Sequence, residues 1–174
     1  MLAITKFKLM KQICLTIVVV VFMLIISREI NAQNTTPTLD QVKLMQQYVG
    51  TWQAKTGKDT LELWEFHQYG KAFIINVSQV VNKQKTSLYI NNIAFSSKED
   101  KFKGFALWPN GSYSTWIGAY TSDKIFKGDM VRNFNPETAY IKLQNVLKNP
   151  NEWTWTQTNK DGKKILEYKF IKVK

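Results

Sequence analysis

Gly50-Thr51-Trp52-Gln53-Ala54-Lys55, then Thr56-Gly57-Lys58-Asp59, then Thr60-Leu61-Glu62-Leu63-Trp64-Glu65-Phe66 is the stretch whose reading decides the fold. It reads as a strand, a tight turn and a second strand. Gly50, Trp52 and Ala54 alternate with Thr51, Gln53 and Lys55, which is the period of a half-buried β-strand. The turn carries Gly, Lys and Asp, residues that tolerate the backbone angles of a hairpin. From Gly50 onward this pattern repeats to the end of the chain.

The further strands are read at 71–81, 86–96, 101–108, 113–121, 124–132, 137–147, 152–158 and 164–173, with the second at 60–68. Turn chemistry fills the gaps: Tyr69-Gly70, Asn82-Lys83, Pro109-Asn110-Gly111, Asn149-Pro150-Asn151 and Lys160-Asp161-Gly162. Hairpin-length links imply an up-and-down meander. An open sheet of this width would leave two edges unpaired, so the strands are expected to close. The fold class is therefore all-β: one antiparallel barrel of about ten strands. Before it, Thr38 is read as the cap of a short helix from Leu39 to about Tyr48. Leu39, Val42, Met45 and Tyr48 form its apolar stripe.

Residues 1–32 are set apart from the barrel domain, 33–174. Lys6, Lys8 and Lys11 precede an apolar run from Ile13 to Ile26, and Ala32 stands before Gln33. This is the layout of a secretory signal peptide cleaved after Ala32. At ~1.5 Å per residue the apolar run spans roughly 21 Å, short of a ~30 Å hydrocarbon core. The expected location is secreted or periplasmic, with no stable membrane insertion after cleavage. An uncleaved anchor is the alternative. Cys14 is the only cysteine and lies in that apolar run, so no disulfide is expected. Without residues 1–32 the chain keeps 20 basic and 12 acidic residues, a formal +8. The lysines are scattered over turns and strands, which reads as a solvated surface rather than a nucleic-acid face.

Alternation also gives candidate faces. Phe102, Gly104, Ala106 and Trp108 share one; Trp116, Gly118 and Tyr120 share the next; Phe126, Gly128, Met130 and Arg132 follow. Glycine in mid-strand marks a bend or a close backbone approach. Trp153 and Trp155 share a face, as do Leu166, Tyr168 and Phe170. An inward set of Trp64, Trp108, Trp116, Tyr120, Trp155 and Tyr168 is expected to line a cavity, because a ten-strand barrel is too wide for side chains to fill easily. Arg132 either points inward, where Glu62, Glu65 or a ligand acid would have to pair it, or ends in solvent.

Gly50-Thr51-Trp52, placed after a short helix and before a full meander, resembles the calycin superfamily of lipocalins, fatty-acid-binding proteins and nitrobindin-like barrels. The resemblance covers residues 38–174 and implies that Trp52 plugs the barrel floor. The chain departs from lipocalins in ending on a strand. It also has no Arg between Ile165 and Lys174 to cover the floor tryptophan. Only Thr56 to Asp59 separate the first two strands, too few for the lid of a fatty-acid-binding protein. What remains looks like the lidless lipocalin-like domains of bacterial exported proteins.

Catalysis finds little support in the residues. His67 is the sole imidazole. Glu62 and Glu65 lie three apart on one strand, hence on opposite faces. No Ser/His/Asp set, metal-ligand spacing or phosphate loop is present. The nitrobindin resemblance makes His67 a haem-ligand candidate, but its place beside the Tyr69-Gly70 turn suits a rim histidine, and no cofactor is expected. The reading is a non-catalytic binding protein for a small apolar or amphipathic molecule. The alternatives are an envelope structural or interaction module with a filled barrel and, further off, a calycin-type isomerase or decarboxylase.

Overall fold

A computed structural model describes residues 39–173 of the chain. The expected signal peptide, the polar stretch from Gln33, the Thr38 cap and Lys174 lie outside the described residues.

Ten strands close into an antiparallel up-and-down barrel. In chain order they are β1 (Gly50–Lys55), β2 (Thr60–Tyr69), β3 (Ala72–Val81), β4 (Gln84–Ser96), β5 (Lys101–Leu107), β6 (Tyr113–Tyr120), β7 (Ile125–Val131), β8 (Ile141–Asn149), β9 (Glu152–Thr158) and β10 (Lys164–Lys172). Each strand pairs with its sequence neighbours, and β1 pairs with β10 to complete the ring. No edge is left open, which removes the main aggregation hazard of a sheet this wide. The hairpins use the expected turn chemistry. Asn82 and Lys83, with φ of 50° and 68°, form the two-residue link from β3 to β4.

The helix, α1, runs from Gln41 to Gln46, shorter than the sequence pattern suggests. Asp40 caps it: its side chain accepts the Lys43 backbone N–H at 3.0 Å. Met45 and Tyr48 are buried as expected, but Gln41 is buried as well. Its amide clamps Tyr120, accepting the backbone N–H at 2.7 Å and donating to the carbonyl at 3.2 Å. Those two bonds satisfy an amide that would otherwise be costly to bury.

α1 sits at the end of the barrel where β1 begins, and this end is packed solid. Trp52, Trp153, Phe73, Phe102 and Phe170 are fully buried there. Trp153 stacks on Phe170 with centroids 4.4 Å apart and an interplanar angle of 9°. Trp52 donates its indole N–H to the Tyr48 carbonyl at 2.6 Å, tying the strand to the helix. Lys172, the cross-strand partner of Trp52 on β10, holds its ammonium 5.1 Å from the Trp52 ring centroid. A cation thus covers Trp52, although the sequence holds no arginine in the last strand. Gly50 is explained by the same contact. Its φ is +120°, and a Cβ there would meet the Lys172 Cε at 3.1 Å.

Three details were not anticipated. The eighth strand begins at Ile141 rather than 137, because Pro136–Thr138 forms a short 3-10 turn with Asn135 as its cap. β4 carries a bulge that places Leu88 between Ser87, opposite Ser78, and Tyr89, opposite Val77. β10 carries another at Ile165.

Candidate functional site

The barrel interior holds a cavity of about 210 Å³ that reaches from Trp108, Ser114 and Gln157 down to Met45 on α1. Trp64, Trp108, Trp116 and Trp155 line it, with Phe66, Ile75, Tyr89, Met130 and Leu143 between them. Apart from Trp108, which follows the end of β5, these are inward residues of alternating positions on β2 to β9. Tyr89 belongs to the set by simple alternation with Asn91 and Ile93, on the near side of the Leu88 bulge.

Trp116 is held in place by a glycine. It faces Gly104 across the β5–β6 ladder, and a Cβ at Gly104 would lie 1.9 Å from the indole Cε2. The ring therefore lies flat over the bare backbone. Its N–H donates to Asn91 Oδ1 at 3.2 Å. Gly118 and Gly128 pair across β6 and β7; a Cβ on either would meet the opposite strand's carbonyl oxygen at 2.7 Å. All three mid-strand glycines are sites of close approach.

Polar groups are interspersed among the rings. Asn91, Asn145, Gln157 and Ser114 face the cavity. Each is in phase with inward apolar neighbours: Asn91 with Ile93, Asn145 with Leu143 and Leu147, Gln157 with Trp153 and Trp155. Side-chain amides amid apolar walls are the usual means by which such a pocket fixes a ligand's orientation.

Glu62 stands next to this lining. It is 8% exposed and shares the inward face of β2 with Trp64 and Phe66. Its Oε1 accepts the Trp64 indole N–H at 2.6 Å. Burial raises its pKa above the usual carboxylate value, and the Trp64 hydrogen bond offsets this in part. The Tyr89 and Tyr168 phenols are raised by burial first and then by the nearby Glu62 carboxylate. Glu65 points to the opposite side, where Lys85 pairs with it at 3.0 Å.

The sequence-predicted site residues divide accordingly. Trp64, Trp108, Trp116 and Trp155 meet at the cavity. Tyr120 is inward and buried but lies below it, packed on Phe126 at 5.3 Å against the floor. Tyr168 lies beside Trp155, 5.7 Å between centroids, outside the lining. Arg132 is exposed and has no part in the cavity. β7 stops at Val131, and the chain turns away through Asn133 and Phe134 at φ of 50° and 59°. Arg132 instead borders a surface cleft with Tyr113 and Tyr140. His67 is exposed on the outer face of β2. Among the described residues no three His, Cys, Asp or Glu side chains gather as metal ligands. Neither a protein-family model nor a curated protein sequence matches the chain.

Proposed function

We propose that the chain is an exported, lipocalin-like binding protein that holds a small molecule in its barrel without transforming it. One observation carries the reading: an interior void walled by tryptophans and side-chain amides, reaching down to Met45 on α1. A barrel with a purely structural role would be expected to fill that space, since each unfilled methyl-sized void costs about 1 kcal/mol. The volume selects for compact ligands. It is somewhat larger than the ~150 Å³ cavity that admits benzene. An extended fatty acid exceeds it. The non-catalytic part of the reading rests on the residue inventory, in which the only imidazole, His67, faces outward. The export part rests on the basic-then-apolar pattern of residues 1–32. N-terminal sequencing of the protein from its host should begin at Gln33, and a retained Met1 would refute cleavage.

The test of binding is a titration with a neutral naphthalene-type dye, followed by quenching of tryptophan emission. Saturable 1:1 quenching is expected. Ala106→Leu, which projects new methyl groups into the cavity, should weaken it at least about tenfold. Absence of saturable quenching, or an unaffected Ala106→Leu variant, would refute an internal site. The interaction-module reading has its own support in Ile90, Leu107 and Tyr113. They adjoin across β4, β5 and β6 and are 42%, 43% and 57% exposed. It becomes the better reading if the dye fails.

A further inference from the structure

Glu62 is an acid in a place that needs only an acceptor. The Trp64 N–H could be satisfied by any inward oxygen, and a glutamine amide would supply one without charge. The residue is 8% exposed, and burying a charge without a counter-charge is costly. Among the described residues the ion pairs involve Glu65, Glu99, Glu152 and Glu167, all paired with lysines. Glu62 has no such partner. The groups facing it are Trp64 on its own strand, Ala54 on β1, Gln79 on β3, Tyr89 on β4 and Tyr168 on β10. None is a cation. No lysine or arginine lines the cavity either.

The surroundings suit a counter-ion that arrives with the ligand. Trp64 and Trp155 lie 5.2 Å apart, Trp155 and Tyr168 5.7 Å, and Tyr89 and Trp108 5.1 Å. Electron-rich ring faces beside a carboxylate attract an ammonium group through both charge and quadrupole. Trp64 and Tyr89 belong to both groups of residues. They border the cavity and they neighbour Glu62, so the carboxylate lies one side chain behind the cavity wall, beside Trp64.

Building on the binding-protein reading, we propose that the cavity takes a compact amine, its ammonium paired with Glu62 and its apolar body held among the tryptophans. This reverses the charge that an inward Arg132 would have favoured. Anionic amphiphiles meet a like charge and are rejected. Neutral ligands of the same shape bind, but leave the carboxylate unpaired. Amine binding also weakens as pH falls through the raised Glu62 value, because the protonated acid no longer carries the charge.

The test is calorimetric titration at pH 7.5 with three molecules sharing one ring: tryptamine, indole and indole-3-acetate. Tryptamine should bind at least about tenfold tighter than indole-3-acetate, with indole between them. Glu62→Gln keeps an acceptor for Trp64. It should weaken tryptamine about tenfold or more while changing indole by less than about threefold. Indole-3-acetate binding as tightly as tryptamine, or Glu62→Gln weakening all three equally, would overturn the proposal. Failure of all three in a protein that still binds the neutral dye overturns the amine assignment alone. Failure of the dye as well removes the binding reading with it.

Discussion

Gly104→Ala tests the packing that shapes the site. The new methyl would lie 1.9, 2.1 and 2.3 Å from three atoms of the Trp116 indole. Restoring van der Waals contact requires the ring to move by roughly 1.5 Å, and a close-packed barrel offers it one direction, the cavity. Two costs follow. Overpacking contributes about 1–3 kcal/mol. Loss of the Trp116–Asn91 hydrogen bond, now 3.2 Å, contributes about 1 kcal/mol. Replacing glycine in a strand returns about 0.5–1 kcal/mol of backbone entropy. The net expectation is a loss of about 1–3 kcal/mol, which at an m-value of ~1–3 kcal/mol/M lowers the urea midpoint by about 1 M. The displaced indole also occupies the ligand's space, so dye affinity should fall about tenfold or more. Tryptophan fluorescence follows both in one sample. An unchanged midpoint would refute the contact between Gly104 and Trp116. A lowered midpoint with unchanged dye affinity would show that the ring escapes away from the void.

Two further outcomes follow from the same structure. Trp52→Ala should cost about 3–5 kcal/mol by denaturant unfolding, since a fully buried indole, its hydrogen bond to Tyr48 and the Lys172 contact are lost together; an unchanged midpoint would show that Trp52 is not the floor. Glu62→Gln should raise stability at pH 7 and lose that advantage below about pH 4. The folded chain holds the Glu62 proton more tightly than the unfolded chain, so the native acid is well tolerated below the unfolded value and destabilising once pH passes the folded one. A variant less stable than the native chain at pH 7 would contradict this.

Much of the barrel was legible because turn chemistry and period two coincide along the chain. Residue height along the barrel was not. Alternation assigns Tyr120 and Trp116 to one face correctly, yet Tyr120 lies two steps nearer α1 and serves the floor. Arg132 continues the phase of Met130, but phase has meaning only while the strand continues, and β7 ends between them at Val131. The bulge at Leu88 resets the phase of β4 only for Gln84 to Ser87; Tyr89 stays in phase with Asn91 and Ile93 and was legible by alternation, though it was not singled out. The polar part of the site was present as a signal and, apart from Glu62 as a possible partner for Arg132, was not taken up. Polar residues on strands suggest an outward face, whereas Asn91, Asn145, Gln157 and Glu62 each fall in phase with large apolar residues. A polar residue repeated in phase with tryptophans marks a wet interior. The cation over Trp52 was missed for a simpler reason: Lys172 does with an ammonium what was sought only as a guanidinium.

The barrel divides its work by height, and this sets how substitutions should behave. Near α1, rings stack on rings, Gln41 and Trp52 tie the helix to the strands, and little of the packing can relax. Above that packing, from Met45 toward the far rim, the interior keeps a void, and an unpaired acid stands beside it; both weaken the fold. Such a half is tolerated only because the first half is overdetermined. Changes at the floor should therefore lower stability while leaving the order of ligand preference intact. Neutralising Glu62 should raise stability or leave it level while erasing that preference. A structural module shows no such opposition, because every loss of packing in it is a loss of the only property it has. The sign of the stability change at Glu62, read beside its effect on tryptamine, thus separates a barrel built to hold something from one built only to stand.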